Sequence, residues 1–253
     1  MTRVFAFINE KGGTGKTTLA VNVAAFWALR RKKRVLLVDL DTQGHAGKSL
    51  GVDVRASAPN VFHLLTDDQL TLADVTKGTP VPQLWLVPGW KELAEFPMRV
   101  AAAPDRELLL RDRVVEPARS RYDVVVLDAP PSLGLVSTNI LAAATDVVVP
   151  VATTYLALDG CAEIAETVRD VATRLNPELR ITRVVPTLYR KTALADEVVA
   201  ALETNFPKRV SPALGFNVAI DEAQSHGQTI WEYAPWSRGA TMLQQLAEAL
   251  ERA

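Results

Sequence analysis

Asn9-Glu10-Lys11-Gly12-Gly13-Thr14-Gly15-Lys16-Thr17-Thr18 decides the fold because of what flanks it. Before it runs Val4-Phe5-Ala6-Phe7-Ile8, an apolar stretch of strand length; after it, Leu19-Ala20-Val21-Asn22-Val23-Ala24-Ala25 reads as a helix. Strand, glycine loop, helix is the arrangement in which backbone N–H groups turn inward around phosphate oxygens, with the positive helix end behind them. Glycine is needed there because side chains would block the approach. In this reading Gly13, Gly15, Lys16 and Thr17 offer N–H groups, and Lys16 bridges the β- and γ-phosphates. The Thr17 hydroxyl ligates Mg²⁺, and Thr18 touches the α-phosphate. The plain alternative is a glycine-rich turn with a surface lysine, and the flanking strand and helix argue against it.

Strand-like and helical runs alternate along the rest of the chain, which predicts an α/β, doubly wound, mostly parallel sheet with helices on both faces. After the first strand, candidates are Val35 to Leu40, Leu84 to Pro88, Tyr122 to Leu127, Asp146 to Val151 and Ile181 to Pro186. Most are Val- and Leu-rich without alternation, as in strands buried on both faces. Helices are predicted over 17–32, 105–117, 134–143, 158–174, 194–204 and 239–252. No repeat, low-complexity segment or linker interrupts the 253 residues, so a single domain is expected.

Two of these strands end in acids. Val35-Leu36-Leu37-Val38-Asp39-Leu40-Asp41-Thr42-Gln43-Gly44 carries two carboxylates, and Val124-Val125-Val126-Leu127-Asp128-Ala129-Pro130-Pro131-Ser132 carries one. In open parallel sheets ligands sit beyond the carboxyl ends of strands, so all three acids are expected near the phosphates. An isolated acid after a strand is usually a turn residue; beside the phosphate loop these are not.

The loop departs from G-x-x-x-x-G-K-[ST] at its first position, where Glu10 stands, and Lys11 follows. K-G-G-x-G-K-T-T resembles the deviant Walker motif of the ParA/MinD ATPases, a P-loop NTPase family. That resemblance implies an ATP-dependent homodimer in which Lys11 reaches the partner's nucleotide and, with Lys16 and Asp41, serves hydrolysis. It implies ATP contacts from Gly12, Gly13, Thr14, Gly15, Lys16, Thr17, Thr18 and Pro212, the last near the adenine. Mg²⁺ would be held by Thr17, with Asp39, Asp41 and Asp128 acting through water. Asp128 resembles the Walker B aspartate, and Asp39-Leu40-Asp41-Thr42-Gln43-Gly44 resembles the switch segment D-x-D-P-Q-G, with Thr42 in place of proline. Val147-Val148-Val149-Pro150-Val151 and Tyr155 to Gly160 resemble the family's fourth core strand and the helix start after it.

Composition is that of an ordinary globular protein, 48% hydrophobic and 23% charged. No apolar run approaches the roughly 20 residues that span a bilayer, and the first strand begins at once, which predicts a cytoplasmic protein with no N-terminal helix-turn-helix domain. Cys161, the single cysteine, can form no internal disulfide and reads as a packing residue. It also excludes the cluster-bearing nitrogenase iron protein, which needs paired cysteines.

Twenty-eight Lys+Arg against 29 Asp+Glu leave a net charge of −1, so DNA contact would need local patches. Arg30-Arg31-Lys32-Lys33-Arg34 reads first as a helix end with solvated cations. The resemblance places a nonspecific DNA surface in the C-terminal third, with Arg190, Lys191, Lys208, Arg209 and Arg238 as candidates. Relatives often read N-V-R-L-x-E-A where this chain has Asn217-Val218-Ala219-Ile220-Asp221-Glu222-Ala223, so Ala219 removes one expected cation. The tail Met242 to Glu251 has an apolar stripe opposed by Glu and Gln, a core-docking pattern unlike a MinD membrane helix. The function implied is a nucleoid-associated ATPase that drives plasmid or chromosome segregation with a ParB-type partner, without a membrane. The alternatives are the same switch positioning a protein cargo, MinD-like septum positioning, or a metabolic P-loop enzyme such as a dethiobiotin synthetase.

Overall fold

The computed structural model describes residues 2–154 and 157–253, without the side chains of 157–159. Tyr155 and Leu156, and the side chains of the three residues after them, therefore lie outside the described residues. Seven strands form one sheet: β1 (Arg3–Phe7), β2 (Val35–Asp39), β3 (Lys77–Gly78), β4 (Leu84–Val87), β5 (Val124–Asp128), β6 (Asp146–Ala152) and β7 (Arg180–Thr187). Their order is β3-β4-β2-β5-β1-β6-β7, and every pairing is parallel except β3 with β4. The helices in chain order are α1 (Lys16–Arg31), α2 (His45–Ser49), α3 (Val61–Thr66), α4 (Leu72–Val75), α5 (Phe96–Arg99), α6 (Glu116–Ala118), α7 (Leu135–Ala143), α8 (Ala157–Arg174), α9 (Ala193–Asn205), α10 (Val218–Ser225), α11 (Ile230–Tyr233) and α12 (Arg238–Glu251).

Strand alternation divides the core into two halves. Phe5, Phe7, Leu37, Val126 and Val148 pack with α1, α11 and α12, where Trp27 lies 4.8 Å from Phe5 between ring centres. Val4, Ala6, Ile8, Leu36, Val38, Val125 and Leu127 pack with residues of α3, α7, α8 and α9 on the other face. Helices thus cover both faces of a mostly parallel sheet, as the alternating pattern predicted. The C-terminal helix docks as its stripe implied, burying Leu243, Leu246 and Leu250, and Cys161 is buried with its thiol pushed up to about 12 by that burial.

Differences from the sequence reading have local causes. The helix expected at 105–117 begins four residues late, because Asp105 takes a left-handed backbone (φ 53°), and contains a wide π turn, Arg111–Val115. Pro117 lacks the N–H that would bond back to Arg113 and its ring crowds that carbonyl, which favours the wider turn. The two-residue β3 and the short helices α2 to α5 are too brief to show a period. The basic run 30–34 caps α1 and is largely neutralised: Arg31 pairs with Glu248 and Glu251, Lys33 with Glu251, and Arg34 with Asp123.

At the amino end of β6 the buried carboxylate of Asp146 ties three strands. It accepts from Arg3 at 2.8 and 3.1 Å, from Thr182 at 2.7 Å and from Thr145 at 2.8 Å, and pairs with Arg180 at 2.8 Å. Burial pushes its pKa up, but the hydrogen bonds from Arg3, Thr182 and Thr145 outweigh that and hold it below the usual carboxylate range. Its stability contribution is therefore present above the unfolded value near pH 4 and is lost on acidification through the lower folded value. Asp146→Ala strands two guanidinium groups and is expected to cost about 3 kcal/mol in urea unfolding at pH 7. A loss below about 1 kcal/mol would show that the node contributes little.

Candidate nucleotide site

Three strand ends meet along one edge of the sheet. Phe7 of β1 is in register with Asp128 of β5, and Asp39 of β2 is in register with the same Asp128. Past the strand ends, Ala129 donates its N–H to Phe7 at 3.2 Å and Leu40 donates to the Asp128 carbonyl at 3.0 Å. Strand register, set by the apolar cores, thus brings the glycine loop, Asp39, Asp41 and Asp128 to one place. This is also where the chain's path reverses, with β2 on one side of β5–β1 and β6 on the other.

The loop is formed as a phosphate cradle. Gly13 (φ 72°) and Gly15 (φ 86°) hold left-handed backbone, and a Cβ at Gly12, Gly13 or Gly15 would project into open space on the cleft side. Gly15 immediately precedes α1, so its first N–H groups are free for an anion. Asn9 donates to the Pro150 carbonyl at 2.7 Å and accepts the Lys11 N–H at 3.1 Å, and Thr187 donates to the Thr14 carbonyl at 2.9 Å. Lys16 is buried and donates its ammonium to the Lys11 carbonyl at 3.0 Å, while burial lowers its pKa against the opposing pull of Asp128 and Asp41. Lys11 is half-buried, and among the described residues its ammonium forms no ion pair.

The acids differ in their surroundings. Asp39 is fully buried and accepts from the Asp41 N–H at 3.1 Å and the Ala46 N–H at 3.0 Å; burial first, then the nearby Asp41 charge, push it up to about 7 despite those bonds. Asp41 accepts from the Gln43 N–H at 3.1 Å and the Thr42 hydroxyl at 3.4 Å. Thr42, standing for a proline in the resembling segment, therefore adds a hydrogen bond to this carboxylate. Asp128 is buried with neither oxygen hydrogen-bonded among the described residues, and burial and then the Asp39 charge raise it well above the carboxylate range; the nearby Thr17 hydroxyl, without regular hydrogen-bond geometry, acts the other way. A buried, unpartnered carboxylate beside a lysine and a threonine hydroxyl fits a hydrated magnesium ion. The residues present therefore suit both a triphosphate and its metal.

Two features escaped the sequence reading. Gly89, just after β4, lies against the switch loop so closely that a Cβ would come 2.5 Å from the Asp39 carbonyl and 2.9 Å from that of Asp41. Trp90 continues the brace beside Gly44, with the Lys48 ammonium 5.0 Å above its ring and 2.7 Å from the Gln43 carbonyl. The second is α10. Gln224 and Ser225 line the roughly 870 Å³ cleft with Gly12 to Thr18, Asp41 and Pro130 to Ser132, while Asn217, Ile220 and Asp221 line an adjoining recess with Thr187, Leu188 and Leu214 to Phe216. These α10 positions fall on one helical face, a spacing present in the sequence but read there only for its missing arginine. Pro212 is exposed and outside the residues lining the recess, which begin two positions later.

Arg190, Lys191, Lys208, Arg209 and Arg238 are all exposed, and none forms an ion pair among the described residues. By contrast Arg174 is paired with Asp170 and Arg180 with Asp146.

Raised carboxyls mean that the folded, metal-free chain keeps protons the unfolded chain releases, so stability falls as pH rises from about 4 toward the folded value near 7. Asp128→Asn should raise the metal-free melting stability at pH 8 by on the order of 1–3 kcal/mol, with the gain shrinking toward pH 5. Calorimetry showing a loss at pH 8 would contradict the unpartnered charge.

Comparison with known proteins agrees with this geometry. A family model described as an AAA domain matches residues 2–181. The chromosome-partitioning ATPase Soj of Thermus thermophilus is 42% identical over 250 residues, spanning 97% of this chain and 94% of its own. The sporulation initiation inhibitor protein Soj of Bacillus subtilis is 38% identical, with 98% of each chain covered. Among solved structures, cobyrinic acid a,c-diamide synthase of Mycobacterium smegmatis with a bound ATP analogue and magnesium superposes with a TM-score of 0.86 at 30% identity, covering all of this chain and 95% of that one. With the cradle, the acids and full-length identity in agreement, the chain belongs to the Soj/ParA family of partition ATPases.

Proposed function

We propose that this protein is an ATPase whose ATP-bound dimer binds DNA without sequence preference and releases it on hydrolysis. In that role it would drive chromosome or plasmid segregation with a ParB-type partner at the nucleoid. The observation that carries the reading is the convergence of Lys16, Thr17, Asp39, Asp41 and Asp128 around a glycine cradle, with Lys11 beside it and forming no ion pair among the described residues. Bound magnesium would supply charge neutralisation at the phosphates.

Each residue has a defined part. Lys16 and the N–H groups of Gly13, Gly15 and Thr17 bind the phosphates, and Thr14 and Gly12 shape the loop. Asp41 orients the attacking water from a loop that Gly89 and Trp90 hold in place. Lys11 stabilises charge on the partner's triphosphate, as an arginine finger does. ATP can switch the oligomer only because it binds the dimer better than the monomer.

The exposed cations of the C-terminal third, without ion pairs among the described residues, support the DNA step, since electrostatic contact with phosphates needs exposed, unneutralised charge. No helix among the described residues is long and apolar enough to cross a membrane, and α12 spends its apolar stripe on the core. A second reading, transfer chemistry on a small substrate, is favoured by the 30% identity to the M. smegmatis synthase. The higher identity to Soj proteins over nearly the whole chain weighs against it.

Lys16→Ala should abolish measurable nucleotide binding, whereas Lys11→Ala should bind ATP within about threefold of wild type yet fail to dimerise in light scattering. Asp41→Ala should lower ATP turnover at least tenfold, a loss of about 1.4 kcal/mol or more in transition-state stabilisation, and prolong residence on DNA. Turnover indifferent to DNA by a protein monomeric with ATP would overturn the partition reading in favour of the small-substrate enzyme. Each DNA-contacting cation removed from the set Arg190, Lys191, Lys208, Arg209 and Arg238 should reduce the salt slope of DNA binding by about one.

A further inference from the structure

α1 and α10 are joined by a polar contact directly over the cleft. The Gln224 amide nitrogen lies 3.0 Å from the Thr18 hydroxyl oxygen, and its carbonyl oxygen lies 3.3 Å away. Both residues line the cleft, and Thr18, with Gly15, also lines the recess bounded by Leu214 to Asn217. Thr18 and Gly15 are thus the residues that the cleft and the recess share.

We propose that Gln224 is a positioning residue for nucleotide binding, fixing the Thr18 hydroxyl so that its proton points at the ligand; this rests on the nucleotide reading above. The nearer amide nitrogen donates to Thr18 and occupies a lone pair; among the described residues the hydroxyl hydrogen then has only the longer 3.3 Å contact to the carbonyl oxygen of the same side chain, which a ligand oxygen can replace. A hydroxyl rotor that is already oriented loses less freedom on binding, and a donor polarised by a preceding donor forms the stronger bond.

The backbone around the pair is held independently of it. Asn22, one turn after Thr18, is buried and donates to the Thr18 carbonyl at 2.8 Å. It also accepts the Ile230 N–H at 2.9 Å on its side chain and the Trp231 indole N–H at 2.8 Å on its carbonyl. Asn217 caps the other end of α10 by accepting the Ala219 N–H at 3.1 Å. α1 is therefore tied to α11 one turn from Thr18 and α10 is capped at its start, both without Gln224, so replacing Gln224 should leave the two helices in place. What the Gln224 side chain adds is the orientation of one proton.

The charge variant gives the opposite geometry. A carboxylate at 224 can only accept, so it would turn the Thr18 proton away from the cleft and add negative charge beside the phosphates. A residue that merely filled space would show no such asymmetry.

Binding of ADP carrying a methylanthraniloyl fluorophore, titrated with magnesium present, tests this. Gln224→Ala should weaken binding about three- to tenfold, in line with one lost hydrogen bond, and Gln224→Glu should weaken it further. In a Thr18→Val background the Gln224→Ala change should have no additional effect, because the hydroxyl it orients is gone. Circular dichroism melts without nucleotide should be unchanged in all three single variants. Unaltered or tighter binding by Gln224→Ala, or full multiplication of the two losses in the double variant, would overturn the inference while leaving the nucleotide site standing. Failure of the unmodified protein to bind the analogue would overturn the nucleotide reading and this inference together.

Discussion

An unpartnered carboxylate at the centre of a parallel sheet is the constraint on which the structure turns. Asp128 ends an otherwise apolar strand, is shielded from water, and among the described residues has no hydrogen-bond donor for either oxygen. Folding tolerates such a group only where something else satisfies it, and burying it bare costs stability. Its neighbours are a buried lysine with lowered pKa, a threonine at the start of α1, and a second buried acid in register with it. The arrangement is poor for a resting protein and well suited to a magnesium nucleotide.

The rest of the fold holds that point rigid. β1, β2 and β5 fix the three strand ends by register, and the two apolar cores fix the register, since a one-residue slip would turn every core side chain to the wrong face. Gly89 presses on the Asp39 and Asp41 carbonyls, and Trp90 with Lys48 supports the loop from beneath. Asn22 ties α1 to α11 on the opposite wall. The loop that carries Asp39 and Asp41 is thus held by contacts remote from the glycine loop, which is how a site keeps its geometry before a ligand arrives.

Much of this was legible in the sequence. The glycine loop between an apolar strand and a helix, and the acids at the ends of β2 and β5, were placed on one edge of the sheet, because strand ends and turn glycines leave strong local signals. The sheet order and the paired fate of Arg31, Lys33 and Arg34 were not, since ion pairs join residues about 90 to 220 positions apart. Gly89 and Trp90 were also missed: a glycine needed for a long-range backbone approach looks like any turn glycine. For α10, the spacing from Asn217 to Ser225 was visible, but only the folded chain shows which elements it faces. Pro212 lies two positions before the residues that line the recess, a placement the sequence alone did not give.

Proton release on magnesium-nucleotide binding tests the account most directly. If Asp39 and Asp128 hold protons in the metal-free protein, the direction in which burial and neighbouring carboxylates move both groups, then titrating Mg²⁺·ADP calorimetrically near pH 7, in two buffers of different ionisation enthalpy, should show release of about one proton. A heat of binding identical in both buffers, corresponding to no proton released, would mean that these carboxylates are already ionised and would contradict the account.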